Sequence, residues 1–321
     1  MADLHVEVQN RGAARGLMEV AVHCAPEPGA KWREFLRKPE LERVMPWLNH
    51  GPGGRATFDQ TMAFVDEVAG DAKVTRVYLG NEFCPLAVPG VASVERMTRE
   101  AVDAGLDVSL VLGPLSESRQ SFFLSLVGQC ERACPGRLEV VGNDWGTMAA
   151  LSGHAVIPVA GRMLFRMKRL PRLSAETVPD VPDGVSGDEL KKRQLASLAE
   201  FPGTSPWFRE FAGRLGFCRM DTELLPQGIR FVREPDVALS LHVPYTYVTG
   251  GATCPHLASG ERTVKGQQSC GLECRTMYVE AQYPYKTRPL FEVGGTVFMN
   301  SVRLLAGYTT HPYYDRIIVE R

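Results

Sequence analysis

Short apolar runs alternate with amphipathic segments along the first half of the chain. In the predicted helices, apolar residues recur every three or four positions, as Phe58, Met62 and Val65 do. Helices of this kind are predicted over residues 57–70, 91–105, 118–134 and 144–153. Strands are predicted over residues 18–24, 74–80, 107–113, 137–142 and 154–161. This alternation indicates βα units around a mainly parallel sheet.

The five strands fit either a (β/α) barrel or a doubly wound sheet. The first glycine-rich turn does not read G-x-G-x-x-G after a strand, so a dinucleotide-binding fold has little support. Both α/β architectures stay open on the pattern alone.

The second half of the chain begins with a change in composition. Residues 174–204 are rich in Pro, Asp, Gly and Ser and predict an inserted loop with a short helix, or a hinge. A helix over 205–216 and β structure over 217–225, 236–251, 289–305 and 313–321 follow. The chain is thereby divided into an N-terminal part (1–173), the polar segment (174–204) and a C-terminal part (205–321).

Charge and composition exclude some classes of partner. The 321 residues include 36 Lys plus Arg and 37 Asp plus Glu, and this net charge of −1 argues against a general binder of nucleic acid or anionic membranes. The basic run 161–173 is interpreted as a solvated face in preference to an RNA contact. With no signal-peptide core and no apolar stretch of about 20 residues, we expect a cytoplasmic protein without a membrane partner.

The eight cysteines are therefore not expected to form a disulfide framework. Cys130 and Cys134 share one face of a predicted helix, so a metal is geometrically possible, but no further ligand is nearby and packing in the core is favoured. Cys218 has apolar neighbours in a predicted strand, and packing is favoured there too. Cys24 ends the first predicted strand and keeps some chance of a functional role.

Three cysteines near the C-terminus form a different pattern. Cys254, Cys270 and Cys274 have C-x15-C-x3-C spacing in a segment without a continuous apolar face. Cys84, just past a predicted strand end, is the best fourth ligand, with His256 as a spare. Structural zinc usually uses C-x2-C pairs, whereas iron–sulfur clusters accept irregular spacing, so a cluster is favoured and zinc stays open.

Several segments together resemble a known family. "VYLG" followed by Cys84, "VGNDWGTM" (141–148), "PVAGRMLF" (158–165) and the C-terminal cysteines resemble the peptidase U32 family. The similarity is greatest to its iron–sulfur members in oxygen-independent ubiquinone hydroxylation, whose relatives hydroxylate RNA. The chain departs from them at residues 25–56 and 174–204, so the substrate stays open.

The resemblance implies a fold, a cofactor and a reaction. The fold is α/β, a TIM-like (β/α) barrel with a cysteine-bearing C-terminal region rich in β structure. The cofactor is a 4Fe–4S cluster whose four ligands are Cys84, Cys254, Cys270 and Cys274. The reaction is a hydroxylation in which prephenate is the oxygen donor in place of dioxygen.

Polar residues at predicted strand ends are candidates for substrate chemistry. Asp144 is a candidate base and His242 a candidate proton carrier, because an unperturbed histidine titrates near neutrality. The candidate substrate-binding residues are Asn81, Glu82, Asn143, Arg162 and Tyr245. Simpler alternatives stay open: Asp144 as a helix N-cap, Arg162 as surface charge and Tyr245 as a core residue.

The leading hypothesis is an iron–sulfur enzyme that hydroxylates or otherwise oxidises or reduces a small or aromatic substrate. An RNA-hydroxylating protein of the same family and a non-catalytic iron–sulfur accessory subunit are the alternatives, the latter with a heteromeric partner of the same family. A peptidase is least favoured, because neither H-E-x-x-H nor G-x-S-x-G occurs.

Overall fold

The computed structural model of the protein describes most of the barrel and part of the C-terminal region. The described residues are 18–24, 52–114, 116–165, 167, 187–250, 254, 270, 272, 274, 277–281, 290–306, 308 and 312–320. The spare ligand His256, the polar residues 25–50 and most of the basic run 161–173 lie outside this set.

Eight parallel strands among the described residues close into a barrel, in the order β1-β2-β3-β4-β5-β6-β7-β12 and back to β1. The TIM-like barrel predicted from the sequence is thus confirmed. The strands are β1 Glu19–Cys24, β2 Val74–Gly80, β3 Asp107–Leu112, β4 Glu139–Gly142, β5 Ile157–Ala160, β6 Arg219–Glu223, β7 Ala238–Val243 and β12 Tyr314–Glu320.

Helices pack against the outside of the barrel. They are α1 Gly54–Ala69, α2 Val91–Asp103, α3 Gln120–Ala133, α4 Trp145–Ala150, α5 Gly187–Ala199, α6 Pro206–Leu215 and α7 Val302–Leu305. Helix α2 shows why they pack this way: Val94, Met97 and Ala101 recur at helical spacing and are buried. No described helix combines the length and apolar character that a membrane crossing requires.

The inward-facing residues of the barrel form layers. Side chains alternate along each strand, so every second residue points into the barrel. The middle layer is mainly apolar and consists of Ala21, Tyr78, Val111, Val141, Val159 and Ile318. Apolar barrel interiors of this kind are normal for the fold, but the layers on either side are charged.

The floor of the barrel, at the amino ends of the strands, is an ion-pair network. Arg316 donates two parallel hydrogen bonds to Glu139 at 2.7 and 2.9 Å. Burial raises the pKa of Glu139, but the positive charges of Arg316 and Arg76 outweigh it and hold the pKa well below its usual range. Arg76 also donates to Glu19 at 2.9 Å, so charges of both signs are matched here.

A second sheet lies between the last two barrel strands in the sequence. It is antiparallel, has the order β8-β11-β10-β9, and is built from β8 Tyr245–Gly250, β9 Val279–Ala281, β10 Leu290–Val293 and β11 Thr296–Asn300. The described cysteines of the C-terminal trio lie between β8 and β9. This sheet is the β-rich, cysteine-bearing region that the sequence predicts.

Two element predictions need correction. The single strand over 236–251 is wrong: β7 ends at Val243 and β8 begins at Tyr245 in the other sheet. Pro244 separates them, and it has no N–H with which to continue a ladder. Residues 302–305, predicted as β, form helix α7.

Candidate functional site

The carboxyl ends of the barrel strands bring acidic and imidazole side chains together. His23, one residue before the end of β1, lies beside Glu320 of β12, its register partner, and Glu223 of β6 is paired with His242 of β7. Two side chains enter from loops, Glu82 after β2 and Arg162 after β5. This end of a (β/α) barrel is where active sites are built.

Arg162 lies at the centre of this cluster and is fully buried. Its guanidinium donates to Glu82 at 2.6 and 3.0 Å and to the Tyr245 carbonyl oxygen at 3.2 Å. It also donates to both oxygens of Glu320, and to Glu223 at 3.4 Å. The alternative that Arg162 is a surface charge is therefore wrong. In this structure Arg162 binds carboxylates of the protein itself, and its predicted role in binding a substrate stays a prediction.

His242 is held between two carboxylates. Its Nδ1 lies 3.0 Å from Oε1 of Glu320, and its Nε2 lies 3.4 Å from Oδ2 of Asp221. Burial and the charge of Arg162 lower the pKa of His242, but the hydrogen bonds to Asp221 and Glu320 outweigh them and raise it to about 9. His242 thus carries a proton at neutral pH, unlike the imidazole titrating near neutrality that the sequence interpretation assumed.

Four of these residues are arranged as metal ligands could be. One ligand atom each from His23, Glu82, His242 and Glu320 lie within 4.8 Å of one another. Within the part of the chain that the structure describes, no other group of three or more His, Cys, Asp or Glu side chains has its ligand atoms this close together. The group contains no cysteine.

The loop after β2 connects this cluster to the cysteines. Asn81 Oδ1 accepts hydrogen bonds from the backbone N–H groups of Phe83 and Cys84, at 3.0 and 2.6 Å, which fixes a tight turn. Phe83 stacks on Tyr247 with ring centroids 4.9 Å apart and lies under the Arg162 guanidinium. Glu82 and Cys84 consequently flank one anchored aromatic ring.

Cys84 lies near two of the C-terminal cysteines. Burial raises the pKa of the Cys84 thiol, and the charges of Cys270 and Cys254 raise it further, so the three sulfurs are electrostatic neighbours. Cys274 approaches the β10–β11 turn: a Cβ on Gly294 would lie 3.8 Å from its sulfur. The fold thus brings Cys84 to residues about 170 positions later in the sequence.

The remaining predicted site residues serve the local structure of the same face. Asn143 is buried, donates to the Leu112 carbonyl at 3.0 Å and accepts from the Met163 N–H. Asp144 is the N-cap of α4, accepting from the N–H and hydroxyl of Thr147 at 2.8 and 2.6 Å. The substrate and catalytic roles of these two side chains stay predictions.

Tyr245, Cys130 and Cys134 are packed among apolar residues. The Tyr245 ring packs edge-on against Phe291 in the core, and burial raises the pKa of its hydroxyl. Cys130 and Cys134 are buried in the main hydrophobic core. Cys218 lies just before β6, at the opposite end of the barrel from Cys84.

Four residues of the cluster are absent from the sequence-based set of site residues: His23, Asp221, Glu223 and Glu320. A signal for them exists. Arg219, Asp221 and Glu223 alternate within a strand, so they share the inward face. These four cluster residues lie within barrel strands, whereas most of the sequence-based candidates lie in loops that follow strands.

Comparisons with known proteins identify no family. No protein-family model matches the chain, and neither does any curated protein. Among solved structures, a glycoside hydrolase family 18 N-acetylglucosaminidase from Paenibacillus barengoltzii is similar over 94% of each chain, with 12% identity and a TM-score of 0.29. A TM-score this low carries no argument about either fold or function. The class of the protein therefore rests on its own barrel and site.

Proposed function

We propose that the protein is an iron–sulfur enzyme of the peptidase U32 type, an oxygen-independent hydroxylase or related redox enzyme acting on a small or aromatic substrate. Its cofactor is a 4Fe–4S cluster held by Cys84, Cys254, Cys270 and Cys274, and prephenate is the oxygen donor. The protein acts in the cytoplasm.

The observation that carries the proposal is the proximity of Cys84 to Cys254 and Cys270. Cys84 ends an anchored turn at the mouth of the barrel, and the other two belong to the connection that follows β8. Thiolates gathered from distant loops are the usual ligands of iron–sulfur clusters. The residue types fit such a group in their chemistry, and the position of Cys84 after β2 supports a site at the mouth of the barrel.

Zinc is the alternative to a cluster. Four thiolates around one zinc ion, with bonds of about 2.3 Å, lie about 3.8 Å apart. Among the described residues, no group of three cysteine sulfurs meets even a 4.8 Å separation. The preference for a cluster rests on the irregular sequence spacing of the four cysteines, which iron–sulfur clusters accept.

When bound, the cluster would supply one-electron chemistry beside the barrel mouth. The chain's own residues supply position and protons. The Phe83 ring separates Glu82 from Cys84, and His242 holds a proton between two carboxylates. This acidic, proton-bearing cluster is buried beneath the mouth of the barrel, so a substrate would reach it only by entering the barrel end.

Anaerobic purification tests the proposal. We expect a brown protein with about four irons and four acid-labile sulfides per chain, both lost in Cys270→Ser and Cys84→Ser. Cys218→Ser is the matched control, because its sulfur lies at the other end of the barrel and donates to the Pro158 carbonyl. Colourless wild-type protein with stoichiometric zinc would contradict the cluster, and full iron in Cys84→Ser would reject the fourth ligand.

A second measurement addresses the substrate. Binding of prephenate beside the cluster is expected to change the electron paramagnetic resonance spectrum of the reduced protein. An unchanged spectrum at saturating prephenate would argue against this donor. RNA that co-purifies through moderate salt would favour the RNA-hydroxylating alternative instead.

A further inference from the structure

The geometry points to a second metal centre inside the barrel mouth: a mononuclear divalent transition-metal site formed by His23, His242, Glu320 and Glu82. It contains no cysteine and stands independently of the iron–sulfur proposal. Three observations carry it, namely the arrangement of the ligand atoms, the charge balance of the cluster and the support behind His242.

The ligands come from rigid elements. His23, Glu320 and His242 lie on β1, β12 and β7, three neighbouring strands of the barrel, near their carboxyl ends. Glu320 Oε1 is 3.0 Å from His242 Nδ1 and 3.9 Å from His23 Nδ1. Glu82 completes a set whose ligand atoms lie within 4.8 Å of one another. Ligand atoms around one transition metal, with bonds of about 2 Å, lie about 3 Å apart, so small rotations suffice.

The charge balance of the cluster calls for a cation. Buried carboxylates outnumber the buried guanidinium, Arg162, among the described residues of this end of the barrel. The carboxylates are Glu82, Asp221, Glu223 and Glu320. Arg162 and the proton on His242 offset two of these four negative charges and leave a net charge of −2. Buried charge of one sign is costly unless it is compensated, and a divalent ion offsets this excess. The floor of the same barrel, by contrast, matches arginines with carboxylates.

His242 has the support that a metal-binding histidine usually has. Its Nε2 lies 3.4 Å from Asp221 Oδ2, and neither atom has a hydrogen-bond partner among the described residues, although both are fully buried. Asp221 is oriented in turn by the hydroxyl of Tyr78, which accepts from Arg316 at 2.8 Å. An imidazole that donates one N–H to a carboxylate presents its other nitrogen to a metal, and here that nitrogen, Nδ1, faces Glu320.

Arg162 is compatible with a bound ion. It already contacts Glu82 and Glu320, but two carboxylates together offer about eight lone-pair sites. Each carboxylate can therefore bridge the guanidinium and a metal. Two imidazoles with carboxylates are the donor set of non-haem Fe²⁺ sites and also suit Mn²⁺ and Zn²⁺, whereas Mg²⁺ and Ca²⁺ prefer oxygen ligands throughout.

Manganese titration tests the site without interference from any iron in the chain. Full-length protein, freed of loose metal by chelation, is titrated with MnCl₂ while the signal of free Mn²⁺ is followed by electron paramagnetic resonance. We expect one Mn²⁺ per chain, displaced by Fe²⁺ or Zn²⁺ and resistant to excess Mg²⁺. His23→Gln is expected to weaken binding roughly tenfold or more.

Matched controls keep the test decisive. His154 pairs with Glu131 at 2.9 Å on the outside of the barrel, so His154→Gln should bind Mn²⁺ like the wild type. His23 is the most exposed of the four ligands, which makes His23→Gln the variant best able to fold, and circular dichroism checks that it does. Absence of stoichiometric Mn²⁺ and Zn²⁺ binding, or equal affinity in folded His23→Gln, would overturn the inference. In that case Arg162 and the protonated His242 would be the cations of the cluster.

Discussion

Arg162 donates three hydrogen bonds to Glu82, a carboxylate that lies 80 positions earlier in the chain. One comes from its backbone N–H at 3.1 Å and two come from the guanidinium. The contact ties the loop after β2, which carries Cys84, to the loop after β5. The position of Cys84 at the barrel mouth therefore depends on a buried ion pair.

Replacing Arg162 with methionine should destabilise the protein strongly. The substitution keeps much of the side-chain volume but leaves several carboxylates buried without their cation, which typically costs about 3–5 kcal/mol. Urea denaturation in the presence of a chelator measures the loss. Arg193→Met is the control, because Arg193 pairs with Glu189 on the surface of α5 and such pairs contribute at most about 0.5 kcal/mol. Equal destabilisation by the two substitutions would contradict a central role for Arg162.

Acid should weaken the fold through Glu139. The folded-state pKa of Glu139 is held well below its usual value of 4.5, so its contribution to stability is present above that value and is lost as the pH falls below it. We expect the free energy of unfolding to fall from about pH 5 downwards, and to fall less steeply in Glu139→Gln.

Urea denaturation at several pH values between 3 and 6 measures this slope. Glu200, an exposed partner of Arg230, supplies the control: Glu200→Gln should keep the wild-type slope. A Glu139→Gln protein that retains the full slope would show that the floor of the barrel does not control acid stability.

The helices and strands of the barrel could be predicted from the sequence because their signals are local. The barrel itself is implied only by the family resemblance, since the pattern leaves a doubly wound sheet open. Apolar spacing in segments such as 91–105 and 107–113 predicts helices and strands within a few residues of α2 and β3. The charged cluster could not be predicted in the same way. Whether Arg162 is buried depends on carboxylates up to 158 positions away, and no local pattern records such pairs.

The cysteines illustrate a different limit. The position of Cys84 after a predicted strand end makes it a candidate partner of the C-terminal trio. Whether it lies near Cys254 and Cys270 depends on how the strands are arranged in the fold, which the local sequence does not specify. Pro244, by contrast, is a local signal: it has no N–H with which to continue a ladder, and it marks the break between β7 and β8 within residues 236–251.

Loss of the Asn81 side chain should loosen the cysteine loop. Asn81→Ala leaves the N–H groups of Phe83 and Cys84 without their acceptor, at a cost of about 1 kcal/mol. Asn81→Asp keeps an acceptor oxygen and should retain most of the stability. Urea denaturation compares the two variants, and equal loss in both would show that the turn does not depend on this acceptor.

Alanine is expected to have opposite effects on the free energy of unfolding at two glycine positions. Gly80 ends β2 with a φ of +132°, and a Cβ there would lie 2.1 Å from the Val111 carbonyl oxygen. Gly80→Ala should therefore lower the free energy of unfolding by more than about 2 kcal/mol. Gly213, within α6, has open space where the methyl group of an alanine would lie, so Gly213→Ala should raise that free energy by up to about 1 kcal/mol. Thermal or urea unfolding measures both changes. An unchanged free energy of unfolding in Gly80→Ala would contradict the close approach of β2 and β3.

The proposed iron–sulfur cluster can be observed directly by anomalous diffraction at the iron absorption edge, from crystals grown without oxygen. We expect a compact four-iron peak surrounded by the sulfurs of Cys84, Cys254, Cys270 and Cys274. A peak that appears only at the zinc edge, or iron bound without Cys84, would contradict the proposed cofactor and its ligands.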